Sequence, residues 1–170
     1  MISKRFKPFV VASTLILALS ASNVFAVSIG DKAPDFNIPR LETNGMISLK
    51  HYRGKVVYID FWASWCGPCR NSLPALNRVH TEFREKGFEV IAINLDEERE
   101  DAMAFLKEFP VVYPTAIDTS SKVPEAYGLV GMPTAYLVDR QGIVQLVHEG
   151  FKKSDIEQLR EKIHRLLSQK

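Results

Sequence analysis

Cys66 and Cys69 are the only two cysteines of the chain, and both stand in one stretch, FWASWCGPCR (61–70), with Gly67 and Pro68 between them. Two thiols at that spacing serve a metal site, a structural disulfide or reversible redox exchange. A structural zinc site takes four ligands. His51, His80, His148 and His164 are scattered singly, so zinc is poorly supported, and each histidine reads as a surface or rim residue. A disulfide here would close a loop of only four residues. The loop-closure entropy removed is then small and the bond would hold the fold weakly. Redox exchange is the use that remains.

That chemistry asks for a particular local structure. With Cys66 at the end of a strand and Cys69 in the first turn of a helix, residues three apart share a face. Their Cα atoms then lie about 5 Å apart, inside the range a disulfide accepts. The N–H groups and dipole of the helix start favour a thiolate at Cys66, the attacking species. Pro68 suits the first turn because it has no N–H to leave unpaired. The expected cycle has Cys66 attack a substrate disulfide, after which Cys69 attacks Cys66 and releases reduced substrate. Cys69 must lose a proton in that second step. Asp60, in the apolar run VVYIDFW (56–62), is the candidate base: burial would raise its pKa toward that task. The competing reading is an aspartate that reaches the sheet edge or caps a backbone group.

The elements that must position these residues can be read along the chain. VVYIDFW is long and apolar enough for a strand buried on both faces. A helix is expected over about 68–86, with Leu73, Leu76, Val79, His80 and Phe83 on one face, Pro74 bending it and Gly87 ending it. FEVIAINL (88–95) and VVYPTAID (111–118) read as further strands. DEEREDAMAFLKEF (96–109) reads as a helix whose acidic start, Asp96 to Asp101, is a solvated face that complements the macrodipole. SSKVPEAYGL is a short helix or turn, and TAYLVD and IVQLVHE form a hairpin through RQG. SDIEQLREKIHRLL closes the chain as an amphipathic helix with Ser154 as its N-cap. Before all of these, FNIPRL and MISL flank Asn44-Gly45 as a hairpin. Strand–helix alternation implies a parallel sheet covered by helices, with antiparallel strands added at the end.

The first 26 residues have another character. Lys4, Arg5 and Lys7 precede the apolar FVVASTLILALSA, and Val24 and Ala26 occupy the small positions of a cleavage site. This is the pattern of a secretory signal (1–26) ahead of one domain (27–170), with an uncleaved anchor as the alternative. The chain carries 22 Lys and Arg against 20 Asp and Glu; without residues 1–26 the balance is 19 to 20, a net charge of −1. No basic patch argues for nucleic acid.

VVYIDFWASWCGPCR resembles the active-site segment of thioredoxin-like proteins. GDKAPDF, SLKHYRGK and GMPTAYLVDRQGIV are similar to the TlpA/ResA-like branch, the exported thiol-disulfide oxidoreductases of the redoxin superfamily, and the likeness runs from about Ile29 to Leu167. The resemblance implies an α/β thioredoxin-like fold: a central mixed β-sheet flanked by helices, with an N-terminal β-hairpin and a central insert. It implies an exposed nucleophile at Cys66 and a resolving thiol at Cys69. Asp60 matches the buried aspartate of thioredoxin, which favours the base reading. Many TlpA/ResA-like proteins place a glutamate three residues after the second cysteine; this chain has Ser72 there, which transfers the proton-handling expectation to Asp60. GMPT resembles the loop whose proline is cis, so a cis Met132–Pro133 bond is expected beside the cysteines. The expected substrate-facing set is Trp65, Gly67, Pro68, Met132 and Pro133, with Met132 pairing its backbone to an extended substrate. Trp65 has partial burial as its alternative, whereas Phe61 and Trp62 are assigned to the core.

The leading functional expectation is a periplasmic reductase of disulfides in exported proteins, with no cofactor or metal, acting as a monomer. Gly-Pro between the cysteines matches thioredoxin, at the reducing end of the known range. The resemblance implies recharging by a membrane thiol reductase, and apocytochrome c, with its C-x-x-C-H site, as one substrate. A disulfide oxidase or isomerase uses the same residues in the opposite direction. A thiol peroxidase is less well supported. Peroxiredoxins place proline and threonine before the reactive cysteine in P-x-x-x-T-x-x-C, where this chain has Ile59 and Ala63. A binding module without chemistry would have no use for an intact C-x-x-C.

Overall fold

The computed structural model describes residues 26–169. The signal expected at 1–26 lies outside the described residues, Ala26 excepted. At the centre is β3 (Val56–Trp62), buried at all seven positions. Side chains alternate across a strand, and that alternation divides the run. Val56, Tyr58 and Trp62 join the core beneath α1 (Cys69–Phe83) and α4 (Asp155–Ser168). Val57, Ile59 and Phe61 join the core on the opposite face with Phe36, Ile47, Tyr127 and Tyr136. Asp60 has the parity of Tyr58 and Trp62.

The sheet runs β5-β4-β3-β6-β7. β4 (Phe88–Asn94) and β5 (Thr115–Ile117) continue it in parallel, through α1 and α2 (Arg99–Glu108). After α3 (Lys122–Tyr127), β6 (Thr134–Val138) enters antiparallel to β3, and β7 (Val144–Glu149) antiparallel to β6. This is the expected thioredoxin-like α/β architecture. β5, reached through α2, is one edge strand of the sheet. Among the described residues, no helix is long and apolar enough to cross a membrane.

The N-terminal hairpin is present but narrower than its sequence suggests. β1 (Asn37–Pro39) pairs antiparallel with β2 (Met46–Ser48). Leu41 leaves the ladder because its N–H donates to the Thr115 carbonyl and its side chain is buried. The main sheet thus claims the end of the expected first strand. β5 is also shorter than the run VVYPTAID. The Asn77 amide accepts the Val112 N–H and donates to the Pro110 carbonyl, which holds that segment against α1 instead of β4. Pro74 lies inside α1, and Gly87 adopts φ 96° after a 3₁₀ turn at Arg84–Lys86, as the sequence implies. Ser154 does not cap α4. It has helical dihedrals and no capping hydrogen bond, and the Lys152 N–H donates to Asp155 instead.

Candidate active site

β3 ends at Trp62, a turn covers Ala63–Trp65, and α1 begins at Cys69. The Cys66 N–H donates to the Ala63 carbonyl at 3.1 Å, and the Cys69 N–H to the Cys66 carbonyl at 3.1 Å. Pro68 takes helical dihedrals immediately before α1. Cys66 and Cys69 form a disulfide, S–S 2.03 Å, with Cα atoms 5.4 Å apart. Cys66 is 4% exposed and Cys69 0%. The expectation of an exposed Cys66 is therefore corrected: in the oxidised pair it is the more accessible of two buried sulfurs, because both join the core cluster beneath α1. The exposed apolar group is Trp65, at 70%, so its alternative as a packing residue fails. Phe61 and Trp62 are fully buried.

The Met132–Pro133 peptide bond is cis, immediately before β6. Met132 is half-buried and packs against the cluster that holds Cys66 and Cys69. The Thr134 hydroxyl donates to the Gly131 carbonyl at 2.8 Å, and the Gly150 N–H to the Pro133 carbonyl at 2.8 Å. These bonds tie the proline loop at both ends. Val130, just before the loop, is 87% exposed and was not singled out from the sequence.

Asp60 is buried on the central strand, and its Oδ2 has no hydrogen-bond partner. Neither the sheet edge nor a cap accounts for it. Burial in apolar surroundings disfavours the charged form and pushes the carboxyl up to about 8. Asp60 and Ser72 line one small cavity with about 10 Å³ of room for the centre of a water molecule, enough for one. The Ser72 hydroxyl also donates to the Cys69 carbonyl at 3.4 Å. Ser72 thus links the cavity of Asp60 to the backbone of Cys69.

Three residues depart from their sequence reading. Asp96 is 3% exposed and is no part of a solvated helix start. Its carboxylate accepts the Ser64 N–H at 3.0 Å, the Ser64 hydroxyl at 2.9 Å and the Asn94 side-chain amide at 2.8 Å. The parallel register sets Trp62 beside Asn94, so residues 64 and 96, two further on, meet where both strands end. Asp96 thereby anchors the turn that delivers Trp65 and Cys66. The only hint in the sequence is an acid placed two residues after a buried strand. His80 is buried, not on the rim, with its Nε2 2.7 Å from Glu89 Oε1. His148 is mostly buried between Tyr58 and Asp155. Among the described residues, no cluster of His, Cys, Asp or Glu could hold a metal ion.

The pattern of the AhpC/TSA family matches residues 29–147. Two curated relatives are thiol-disulfide oxidoreductases named ResA. That of Bacillus thuringiensis subsp. konkukian is 34% identical over 138 residues, covering 81% of this chain and 79% of that protein. That of Geobacillus thermodenitrificans is 36% identical over 139 residues, with the same coverage of 81% and 79%. Among solved structures, a Chlorobium tepidum protein described as thiol:disulfide interchange protein DsbE superposes with a TM-score of 0.81 at 46% identity, over 84% of this chain and all of that one. A Bacteroides thetaiotaomicron protein described as a protein disulfide isomerase superposes with a TM-score of 0.77 at 31% identity, over 84% of this chain and 92% of that one.

Proposed function

The chain belongs to the AhpC/TSA family and is a thioredoxin-like, ResA-like thiol-disulfide oxidoreductase; from that premise we propose that it reduces disulfides of exported proteins, with Cys66 as nucleophile, Cys69 as resolving thiol and Asp60 as base. The observation that carries this reading is the Cys66–Cys69 pair at the start of α1 together with a buried, unpartnered Asp60, which shares a small cavity with Ser72, whose hydroxyl bonds the Cys69 carbonyl.

In the first step the Cys66 thiolate attacks one substrate sulfur. A Cys66–S bond forms, the substrate S–S bond breaks, and the departing sulfur leaves with the electron pair and takes a proton from water. In the second, Cys69 gives its proton to Asp60 and attacks the Cys66 sulfur, breaking its bond to the substrate sulfur. The Cys66–Cys69 bond forms and the second substrate thiolate leaves. The raised pKa of Asp60 suits this transfer, because a base works best with a pKa near the working pH. Trp65 offers an apolar contact for substrate, and Gly67 and Pro68 leave the approach to Cys66 free of long side chains. The backbone beside Met132 and the cis Pro133 pairs with an extended substrate segment.

A reductase in an oxidising compartment must be recharged. The signal-like residues 1–26 support export to the periplasm, and a membrane thiol reductase is the corresponding electron donor. The C-x-x-C-H site of apocytochrome c is a substrate of suitable chemistry. The solved relative described as a disulfide isomerase makes the opposite direction the second reading. The equilibrium potential of the Cys66/Cys69 couple decides. A value near that of thioredoxin, about −270 mV, supports the reductase; about −120 to −180 mV supports oxidase or isomerase action.

A further inference from the structure

The strand register sets Asp60 beside Ala135 on β6, and Ala135 beside His148 on β7. Residues directly opposite in neighbouring strands project to the same face, so the three form a row. The middle member is only a methyl group, and the small cavity opens where a larger side chain would sit. Tyr58, two residues before Asp60 on the same face of β3, lines it too, as does His148.

A continuous set of hydrogen bonds leads outward from there. The Tyr58 hydroxyl lies 2.9 Å from His148 Nδ1, and His148 Nε2 lies 3.1 Å from Asp155 Oδ2. Burial, reinforced by the charge of Asp60, holds the Tyr58 phenol well above its ordinary pKa, so it stays protonated and donates. Desolvation pushes the Asp155 carboxyl up, but the His148 ring, the Lys152 N–H and the Ser154 hydroxyl outweigh it and leave the group below its usual value. When the ring accepts from Tyr58 at Nδ1, its hydrogen is on Nε2, facing Asp155. His148 also lines an open surface depression with Lys152, Asp155, Lys162 and Arg165. Among the described residues it is the one titratable side chain that borders both the inner cavity and that depression. Asp60 lies on its inner side; Asp155 and Glu149 lie on its outer side. A transient imidazolium there has an acid on each flank.

We infer that Tyr58 and His148 form a proton relay that carries the proton taken up by Asp60 out to solvent beside Asp155. The inference rests on the reading of Asp60 as the base for Cys69. The Tyr58 O–H passes its proton to His148 Nδ1 and receives one from Asp60 through a water in the cavity. The imidazolium loses its Nε2 proton to water in the depression, and exchange with that water, one proton leaving Nδ1 and one entering at Nε2, restores the starting tautomer. One proton leaves, and no electrons move.

The test is single-turnover kinetics of the reduced protein with a small disulfide at pH 7, where Asp60 starts protonated and must discharge through the relay before it can accept the Cys69 proton, resolving attack from release. His148→Gln should slow release about a hundredfold, the lower end of what a lost proton-transfer group costs. Attack, measured in a Cys69→Ser background, should be unchanged. Added imidazole should restore release, because the depression admits it. Tyr58→Phe should show the same loss without rescue, since the break then lies behind the ring. Release at the wild-type rate in both variants, or a loss in His148→Gln that imidazole does not relieve, overturns the relay. So does an equal slowing of attack and release, which marks a structural role. Asp60→Asn separates the two readings: if it releases at the wild-type rate, the base assignment itself fails, and if it alone is slow, only the relay fails.

Discussion

Asp60 concentrates the tension between stability and chemistry in one side chain. In the unfolded chain its carboxyl titrates near its ordinary value of about 4; in the folded protein it is pushed up to about 8. Between those values the folded state holds one more proton than the unfolded state, so stability falls as pH rises through that window. Asp60→Asn removes the dependence. Urea denaturation should find the variant and the wild type nearly equal near pH 4. At pH 9 the variant should be more stable by several kcal/mol, on the order that about four pKa units imply. A difference that does not grow with pH would mean that Asp60 is not held protonated. The two cysteines are distinguished by a second measurement. Cys69→Ser should accumulate a mixed disulfide with substrate, and Cys66→Ser should not, because Cys66 is the more accessible sulfur and only the outer thiol can start the exchange. Mass spectrometry of the trapped species reads this directly.

At the scale of elements, the parallel pairing of β3 with β4 is what builds the turn before Cys66. Both strands are near-continuous apolar runs, legible as buried. Their neighbourhood and register bring Asp96 to Ser64, and neither is written in the local pattern of either strand. Asp96→Ala removes the acceptor of three charge-assisted contacts and leaves the buried Asn94 amide short of one partner. The expected cost is about 3 kcal/mol in chemical denaturation. Trp65 and Cys66 should also show altered environments by tryptophan fluorescence and thiol reactivity. Asp96→Asn, which keeps one acceptor oxygen, should recover part of both. The same logic explains the short β5 and the shifted edge of the hairpin. Asn77 and Thr115 offer hydrogen bonds to segments that local propensity assigns to strands.

At the scale of the whole molecule, the fold is expected to stand without its disulfide. Two cores, one on each face of a five-stranded sheet, hold the chain. Opening a bridge between residues three apart should cost at most about 2 kcal/mol of loop entropy. Reduced protein should therefore stay folded, with a modest fall in its denaturation midpoint; unfolding on reduction would return the pair to a structural role. Much of this architecture was legible from the sequence: strand–helix alternation, the amphipathic stripes of α1 and α4, and the two cysteines with Gly67 and Pro68 between them. These are short-range features, set by spacing along the chain, and physics at that range decides them. The buried Asp60 was legible as an anomaly, a carboxylate inside an apolar run. Its unpartnered oxygen, the cavity it shares with Ser72, the row through Ala135 to His148 and the anchor from Asp96 were decided only by tertiary structure. Each depends on which strands become neighbours and in what register, and those pairings join residues tens of positions apart that carry no mark of one another in the chain.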